Sequence, residues 1–459
     1  MAAEARGPSE GFLFNVNLIF ISQIANYGLR FLLGIILARA LGPELRGDYA
    51  LFVLTASLAA SGATLGAGLG SMYHLGKSRL SLRVLLGNSQ FLAMATGALA
   101  MVVVTAVALT VDTDEFVRDD AFWLYLLALP AALEFTLLTA LLVGQGRFTG
   151  LNSASVSQTA IVLVGTAALY AAGELTLFRV LTVWSGSYLV GSIIALAFLG
   201  FENWSLRAAL RPDLPALRLQ VRTGLPGQAG NILQFLNYRL DQFLVAGLAT
   251  RADVGIYAVA VGLSETVWWI ANAVALALLP RLTRMEAERG AEIAAVACRN
   301  TLLVAAVAAA GLAGTAAILV KPVFGAAFGD ATQAVFWLLP GIVALSGAKV
   351  LSSYLFSQGK MAINSLFAMV ALGGTLLFDV LLIPRFGISG AAASSSIAYT
   401  TSAVLTVAYF WRFTGGSLLD CLLVRPADRH LYLDAARRVR ERISGRRTLA
   451  GHEETGRSV

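Results

Sequence analysis

Twelve long apolar runs occupy most of this chain and limit how it can fold. Each run is long enough for a membrane-spanning helix, which needs about 20 mostly apolar residues. Only 13% of the residues are charged, against roughly 25% in ordinary soluble domains. The runs cover residues 12–38, 47–72, 84–111, 121–143, 152–172, 176–200, 224–248, 254–280, 297–319, 331–357, 362–383 and 387–411. We therefore predict an all-α, polytopic membrane protein with twelve transmembrane helices.

Two short strings recur about half a chain apart. GDYA at 47–50 returns as GIYA at 255–258, and QGR at 145–147 returns as QGK at 358–360. The offsets are 208 and 213 residues, so the second half keeps the order of the first. Repeats within a membrane-spanning chain are typical of transporters with two lobes around one path. The pattern predicts two lobes of six helices each.

The longest break between runs separates the predicted lobes. We place the N-terminal lobe at residues 1–200, a cytoplasmic linker at 201–223 and the C-terminal lobe at 224–411. A basic tail with ten arginines follows at 412–459. Because six is an even number of helices, both lobes have the same orientation in the membrane. Two interpretations of the tail stay open: a solvated extension, or a helix lying on anionic lipid.

Lysine and arginine are distributed unevenly over the loops. If the N-terminus is cytoplasmic, the inner loops hold more than twice as many of these residues as the outer loops. Positive charge accumulates on the cytoplasmic side of membrane proteins. Both termini are therefore predicted to be cytoplasmic. The net charge of +7 follows from this orientation and requires no nucleic-acid partner.

Signatures of catalytic or metal sites are missing from the sequence. Two cysteines and three histidines make neither a disulfide framework nor a metal-ligand pattern. The chain has no phosphate-binding loop and no Gly-x-Ser-x-Gly string. We expect no enzymatic activity, no cofactor and no bound metal.

Polar side chains form a stripe on the first and the seventh predicted helices. Gln23, Asn26 and Arg30 are three and four residues apart and therefore lie on one helical face. Their counterparts 208 residues later are Asn231, Gln234 and Tyr238. Two equivalent polar faces fit the lining of a cavity between lobes, so these six residues are candidates for substrate binding. Hydrogen bonding between packed helices is the alternative.

Ionisable side chains within apolar runs cost about 2.5–3.5 kcal/mol each at the bilayer centre, which makes each one a functional candidate. A cavity containing Arg30, Arg239 and Lys349 would attract a phosphate-bearing substrate. Three acids are candidates for binding protons or Na⁺ during ion coupling: Asp241, Glu265 and Glu134. The same acids are equally candidates for counter-ions of the cations.

Four charged residues in or near the apolar runs occupy positions that predict how each is compensated or placed in the membrane. Arg239 and Asp241 are two residues apart and lie on nearly opposite faces of a helix, so they should not neutralise each other. Arg179 and Asp379 are close to the outer ends of their apolar runs. We interpret these two as anchors at the membrane interface.

Four segments at corresponding places in the two halves carry a family resemblance. They are ILARALGPELRGDYALF at 36–52, VGQGRF at 143–148, the stretch from YRLDQF to VGLSE at 238–265, and FSQGKM at 356–361. They resemble prokaryotic polysaccharide flippases of the multidrug/oligosaccharidyl-lipid/polysaccharide (MOP) exporter superfamily. The resemblance covers the whole twelve-helix region and implies a MATE/MOP-like fold.

The resemblance also implies a function in cell-surface polysaccharide biosynthesis. It implies a flippase of the bacterial inner membrane that moves a polyprenyl-pyrophosphate-linked oligosaccharide by alternating access. Helices 1, 2, 7 and 8 would line the cavity, which singles out Arg30, Arg239 and Glu265, whereas Lys349 lies on helix 10. The implied partners are the lipid-linked oligosaccharide and the bilayer, with a glycan polymerase or glycosyltransferases as a further option.

Two alternatives make different predictions. A multidrug or cation exporter of the same superfamily would have mainly acidic and aromatic groups in its cavity. A polytopic sugar-polymerising enzyme would have a large outer loop with catalytic groups, and no predicted outer loop is long enough.

Overall fold

The computed structural model describes residues 8–110, 120–283 and 285–428. The helices of five or more residues are α1 (Pro8–Ala63), α2 (Ala67–Gly76), α3 (Leu82–Thr110), α4 (Asp120–Gly144), α5 (Phe148–Ala171), α6 (Leu177–Leu199), α7 (Leu206–Leu210), α8 (Leu214–Leu248), α9 (Arg251–Ser264), α10 (Trp268–Leu282), α11 (Ala287–Phe324), α12 (Ala331–Ser357), α13 (Met361–Thr414) and α14 (Leu418–Leu422). Across these described ranges there is no β-strand. The all-α prediction is confirmed.

Two of the helices bend at a glycine, and each contains two membrane crossings. Gly42 in α1 has a φ of 71° and Gly387 in α13 has a φ of 55°. Both values lie in the left-handed region, which glycine adopts without steric cost. The arms on either side of the bends are called α1a (8–41), α1b (43–63), α13a (361–386) and α13b (388–414).

The helices account for all twelve predicted runs. Eight described helical segments are long and apolar enough to cross a membrane, and the two bent ones supply two crossings each. The remaining crossings are α4 and α8, the latter less apolar because it carries the polar stripe. One crossing is made jointly by α1b and α2, and another by α9 and α10. The chain is therefore a multi-pass membrane protein with twelve transmembrane helices.

The crossings form two lobes with a core each, and Ala38 and Ala50 of α1 pack into the core of the second lobe. The first lobe, α1–α6, packs Leu37, Leu129 and Trp184 at its centre. The second lobe, α8–α13, packs Tyr257 and Ile342 among many other buried side chains. Within a bilayer such cores are held by close packing rather than by exclusion of water. The two-lobed architecture is confirmed, and the exact domain boundaries stay a prediction.

The segment between the lobes folds back on the first lobe. Helix α7 lies against α3. The Asn88 side chain accepts from the backbone N–H of Asp213 at 2.9 Å and donates to its carbonyl oxygen at 3.2 Å. The Asp213 carboxylate in turn caps α8 by accepting from the Ala216 N–H at 3.0 Å. The start of the second lobe is thereby fixed to the first.

After α13 the chain returns to the second lobe. Arg299 of α11 donates to both carboxylate oxygens of Asp428 at 2.6 and 2.5 Å, and to the carbonyl oxygen of Asp420 at 3.0 Å. The hydrogen bonds from Arg299 lower the pKa of Asp428 to about 2. The helix expected in the basic tail lies outside the described residues, so its two interpretations stay open.

Candidate functional site

The recurring strings of the sequence contact each other at one end of the bundle, here called the far end, near Gly42. Gly47 of α1b lies so close to α9 that a Cβ atom there would be 2.0 Å from the carbonyl oxygen of Arg251. A Cβ atom on Gly255 would be 1.9 Å from the carbonyl oxygen of Pro43. The two halves of this contact are related by the 208-residue repeat. Glycine at both positions is what allows the lobes to touch here.

Polar contacts reinforce the far-end contact. The Arg251 guanidinium donates to the Asp48 carboxylate at 3.0 Å. The Arg39 Nε donates to the carbonyl oxygen of Val323 at 2.7 Å, and a second guanidinium nitrogen contacts the carbonyl of Pro322. These bonds join α1 of the first lobe to α9 and α11 of the second.

A second glycine contact lies at the opposite end of the bundle, here called the basic end. A Cβ atom on Gly70 of α2 would be 2.0 Å from the carbonyl oxygen of Gln220 in α8. A Cβ atom on Gly224 would be 1.8 Å from the carbonyl oxygen of Gly66. The Gln220 side chain also donates to the Ser71 hydroxyl at 2.9 Å. The lobes therefore touch at both ends of the path between them.

Two arginines line a cavity of about 120 Å³ between the lobes, here called the arginine cavity. Its walls include Tyr27 and Arg30 of α1a, Arg46 of α1b and Trp269 of α10. The Tyr27 and Trp269 rings are stacked with centroids 4.8 Å apart. The Arg46 guanidinium lies 5.5 Å from the Tyr49 ring centroid, and its Nε is buried without a hydrogen-bond partner.

Neither arginine of this cavity forms a salt bridge within the described part of the chain. A guanidinium group in a membrane-embedded cavity requires an anionic partner. The described residues supply none to Arg30 or Arg46. Its planar donors match phosphate and carboxylate oxygens. The arginine cavity therefore has the electrostatics of an anion-binding site.

An apolar cavity of about 420 Å³ adjoins the arginine cavity. The two share Phe31, Leu263 and Trp269, and the apolar cavity continues along Leu312 and Leu319 of α11. Phe31 is 38% exposed and Leu319 48% exposed, so this apolar wall is open rather than sealed by packing. A positively charged cavity is thereby continuous with an apolar surface.

The predicted cations of the second lobe have partners. Arg239 donates to both carboxylate oxygens of Glu265, at 2.7 and 3.0 Å. The Lys349 Nζ donates to the Asn272 side chain at 3.0 Å and lies 4.2 Å from the ring centroid of Trp268. The sequence placed Arg239 among substrate-binding and Glu265 among ion-coupling candidates, and the structure joins them in one ion pair. Their roles toward a ligand stay predictions.

The second lobe buries two acidic side chains, Asp241 and Asp379. The Asp241 carboxylate accepts from the hydroxyls of Tyr257 at 2.6 Å and Ser395 at 2.8 Å. Arg239 binds Glu265 instead of Asp241. Asp379 is fully buried, interacts electrostatically with Asp241, and has no hydrogen-bond partner among the described residues. The interpretation of Asp379 as an interfacial anchor is wrong, because α13 packs this side chain into the lobe.

The predicted stripe on α8 faces two different cavities. Asn231 lines a cavity of about 360 Å³ with α1b, α2 and α4 of the first lobe. Gln234 and Tyr238 line a polar pocket of about 290 Å³ inside the second lobe, together with Lys349. This pocket is called the lysine pocket below. One helix thus serves both lobes.

The other predicted residues lie on the first lobe. Gln23 is exposed, and the side-chain oxygen of Asn26 is buried without a partner. Glu134 is half-buried beside Gln90, apart from Asp241 and Glu265, so the three acids do not form one group. Arg179 is exposed and contacts Glu174, as expected of a residue at the membrane interface. No group of three or more metal-ligating side chains occurs among residues 8–110, 120–283 and 285–428.

Residues 12–286 of the chain match the family described as polysaccharide biosynthesis protein, "Polysacc_synt". The chain belongs to this family. A comparison with curated proteins gave no match. The matched segment runs from the first helix through α10, so it includes Arg30 and Arg46 of the arginine cavity, the Arg239–Glu265 pair and both glycine contacts.

Solved structures with the same fold are MOP-superfamily transporters. The lipid II flippase MurJ in an inward closed conformation has a TM-score of 0.71 at 11% identity, covering 88% of this chain and 89% of its own. An inward-facing multidrug resistance MATE transporter has a TM-score of 0.65 at 15% identity, covering 85% and 94%. An outward-facing MATE transporter has a TM-score of 0.54 at 14% identity, covering 87% and 95%. The predicted MATE/MOP-like fold of this polysaccharide biosynthesis protein is confirmed.

Sequence reasoning missed two residues of the site. Arg46 lies in the break between the first two apolar runs and outside the polar stripes, yet the bend at Gly42 turns α1b back beside α1a and brings Arg46 into the cavity of Arg30. The sequence signal for Arg46 is its position one residue before Gly47. A glycine at a close helix contact places the residues next to it in or beside the helix interface. Asp379 was missed because distance from the end of an apolar run does not report burial within a lobe.

Proposed function

We propose that this protein is a flippase that moves a polyprenyl-pyrophosphate-linked oligosaccharide across the bacterial inner membrane by alternating access. The observation that carries the proposal is the arginine cavity, where Arg30 and Arg46 have no counter-ion in the described part of the chain. A pyrophosphate carries several negative charges and supplies the acceptors that two guanidinium groups require.

The lipid part of the substrate fits the neighbouring surface. A polyprenyl chain is too apolar to enter a polar cavity, so it has to remain in contact with lipid while its head group crosses. The apolar cavity between α1a, α10 and α11 connects Arg30 to side chains exposed at the lipid-facing surface. This continuity favours a lipid-linked anion over a soluble one.

The two glycine contacts are suited to act as alternating gates. Closing the far end through Gly47 and Gly255 and opening the basic end would give an inward-facing state, and the reverse an outward-facing one. Both glycine contacts are formed in this structure, so the lobes touch at each end of the path. Small residues at both crossings allow the lobes to separate without breaking bulky interdigitated contacts.

The Asp241–Asp379 pair is the proposed coupling site. Two acidic side chains buried in one lobe are stable when one of them is protonated or a cation compensates their charge. Binding and release of that cation would bias the lobes toward one state, provided that its affinity differs between the states. Asp241, on α8 and bonded to α9 and α13, is placed to transmit such a change.

The setting follows from the family and from the charge distribution. We place the basic end and both termini in the cytoplasm, because the arginine-rich loops lie there. Cell-surface polysaccharide biosynthesis would supply the lipid-linked substrate, and a glycan polymerase or glycosyltransferases would be further partners. The protein moves its substrate without breaking bonds and is proposed to have no enzymatic activity.

A multidrug exporter of the same superfamily is the second candidate, supported by the fold likeness to MATE transporters. Such a protein exports mostly cationic compounds, and the unpaired groups of the arginine cavity would repel them. The cavity chemistry therefore favours the lipid-linked oligosaccharide.

Deletion of the gene in its host, with mass spectrometry of the lipid fraction, tests the proposal. We expect a polyprenyl-pyrophosphate-linked oligosaccharide to accumulate, with loss of a surface glycan. If no such intermediate accumulates in a strain without another flippase, and resistance to cationic drugs falls instead, the exporter is the correct function.

A further inference from the structure

We propose that the lysine pocket inside the second lobe binds an acidic sugar of the glycan, with Lys349 holding its carboxylate. The pocket lies among α8, α10, α12 and α13 rather than between the lobes. Its volume of about 290 Å³ is at the small end of ligand sites, which are roughly 300–1,000 Å³, and suits one sugar residue. The inference rests on the proposed function, because it assigns one sugar of the lipid-linked substrate to a second place.

Lys349 is the positive charge of this pocket. An ammonium group has three donors, of which one reaches the Asn272 side chain at 3.0 Å. The Trp268 ring covers another side, with its centroid 4.2 Å from Nζ, and no salt bridge to Lys349 occurs within residues 8–110, 120–283 and 285–428. The ammonium can therefore still donate to an anion that enters the pocket.

Carboxamides supply the matching acceptors. Asn237 is 4% exposed, lines the pocket, and its side-chain oxygen has no hydrogen-bond partner among the described residues. Asn364 likewise has an unpartnered side-chain oxygen, while its amide donates to the Ser352 carbonyl at 3.2 Å. A buried acceptor without a partner has lost its hydrogen bonds to water without replacing them, and sugar hydroxyls are donors that would replace them.

The combination selects one class of ligand. A neutral sugar would satisfy the carboxamides but leave the ammonium unused, whereas a free phosphate would satisfy the ammonium but supply few donors for Asn237 and Asn364. A hexuronate supplies both, since it carries a carboxylate and several hydroxyls. Lysine acts as a compact point charge, whereas the planar arginine fork suits phosphate better. The arginine cavity would therefore bind the pyrophosphate, and the lysine pocket would bind the sugar carboxylate.

The pocket is open where the substrate would arrive. Gln234, at its edge, is exposed, and Asn231 one turn earlier on α8 lines the cavity shared with the first lobe. A glycan lying along α8 could therefore place one residue in the pocket while its pyrophosphate stays between the lobes.

Binding of free glucuronate, glucose and inorganic phosphate to the purified full-length protein tests the inference. We expect glucuronate to bind at least tenfold more tightly than glucose. Lys349→Gln should lose at least tenfold in glucuronate affinity with little change for glucose, and Asn237→Ala should weaken both sugars. Lys321→Gln, which removes a lysine exposed outside the pocket, is the charge-matched control and should bind all three probes as the unmodified protein does.

Three results would overturn the inference: equal affinity for glucose and glucuronate, unchanged glucuronate binding in Lys349→Gln, or phosphate binding more tightly than glucuronate at Lys349. The first needs no variant to fold, and the third requires that the phosphate binding is lost in Lys349→Gln. The accumulation experiment tests the flippase separately. An accumulating intermediate without glucuronate binding contradicts the pocket alone, whereas glucuronate binding without an intermediate contradicts the flippase alone.

Discussion

The two lobes repeat one architecture but differ in how their charges are compensated. On the first-lobe side, Arg30 and Arg46 share a cavity and form no salt bridge among the described residues. On the second-lobe side, Arg239 is paired with Glu265, and the Asp241 carboxylate accepts two hydroxyl hydrogen bonds. The first lobe can therefore attract the pyrophosphate through two unpaired arginines, while the second lobe compensates Arg239 and Asp241 within its own packing.

The repeat itself shows where this difference arises. Applying the 208-residue offset, the counterpart of Arg30 is Tyr238 and that of Arg46 is Val254, which is fully buried. The glycines of the far-end contact are conserved between the halves of the chain, but the arginines beside them are not. The repeat therefore preserves the glycine contact between the lobes. It does not preserve the two arginines that face the cavity between them.

Removing both unpaired cations should have the largest effect. Each charge-assisted hydrogen bond to a phosphate is worth roughly 1.5–3 kcal/mol, so Arg30→Ala with Arg46→Ala should lower export about a hundredfold or more. Surface polysaccharide in a complemented deletion strain measures this. Arg385→Ala, which removes an exposed arginine at the far end, is the control, and equal loss in this control would contradict a specific role for the cavity.

Neutralising the acidic pair of the second lobe should remove ion coupling rather than substrate binding. Moving one charge against 100 mV corresponds to about 2.3 kcal/mol, or roughly fiftyfold in accumulation. Asp241→Asn and Asp379→Asn should each lose most of the response of transport to an imposed ion gradient, measured in vesicles. A full response in both variants would show that the pair is structural.

Filling the far-end glycine contact should hinder its closure. A methyl group at Gly47 or Gly255 would overlap a carbonyl oxygen, and overpacking costs about 1–3 kcal/mol, so export should fall about tenfold. Gly62→Ala and Gly76→Ala are matched controls on the α1b/α2 crossing that carries Gly47, since nothing lies within 4 Å of a Cβ atom there. Similar defects in variants and controls would mean that the contact does not act as a gate.

Replacing the compensated pair of the second lobe should have a small effect. Neutral side chains of similar size in place of a paired arginine and glutamate are often nearly neutral in stability, whereas removing one partner leaves an unpaired charge. Arg239→Met with Glu265→Gln should therefore change export less than threefold, and Arg239→Met alone should reduce it more. A double variant as inactive as the Arg30 and Arg46 variant would show that both lobes bind the anion.

The tail contact should affect stability and leave export unchanged. Hydrogen bonds to charged groups contribute about 1.5–3 kcal/mol, so Asp428→Asn should lower the unfolding temperature of the purified protein. Because Arg299 lowers the pKa of Asp428 to about 2, the contribution is complete above about pH 4 and is lost as the pH falls toward 2. The variant should lack this acid-dependent loss, and an unchanged acid profile would contradict the pairing.

The sequence predicted the fold far better than the site. Twelve crossings follow from run lengths, because the bilayer sets how many apolar residues a helix needs. Which side chains meet depends on bends and packing that run lengths do not report. The bend at Gly42 brought Arg46 to Arg30, and the packing of α13 buried Asp379. By contrast, the opposite helical faces of Arg239 and Asp241 were predictable from spacing alone, and the two side chains do bind different partners.

The most direct test of the unequal lobes is reconstituted flipping of a fluorescent polyprenyl-pyrophosphate-linked glycan in liposomes. The rate for the unmodified protein would be compared with the Arg30→Ala/Arg46→Ala and Arg239→Met/Glu265→Gln variants, each also tested on the same glycan attached to an uncharged lipid. We predict that the first variant loses about a hundredfold on the pyrophosphate lipid and that the second stays within threefold. Equal losses in both variants, or equal rates of the unmodified protein on both lipids, would contradict the account.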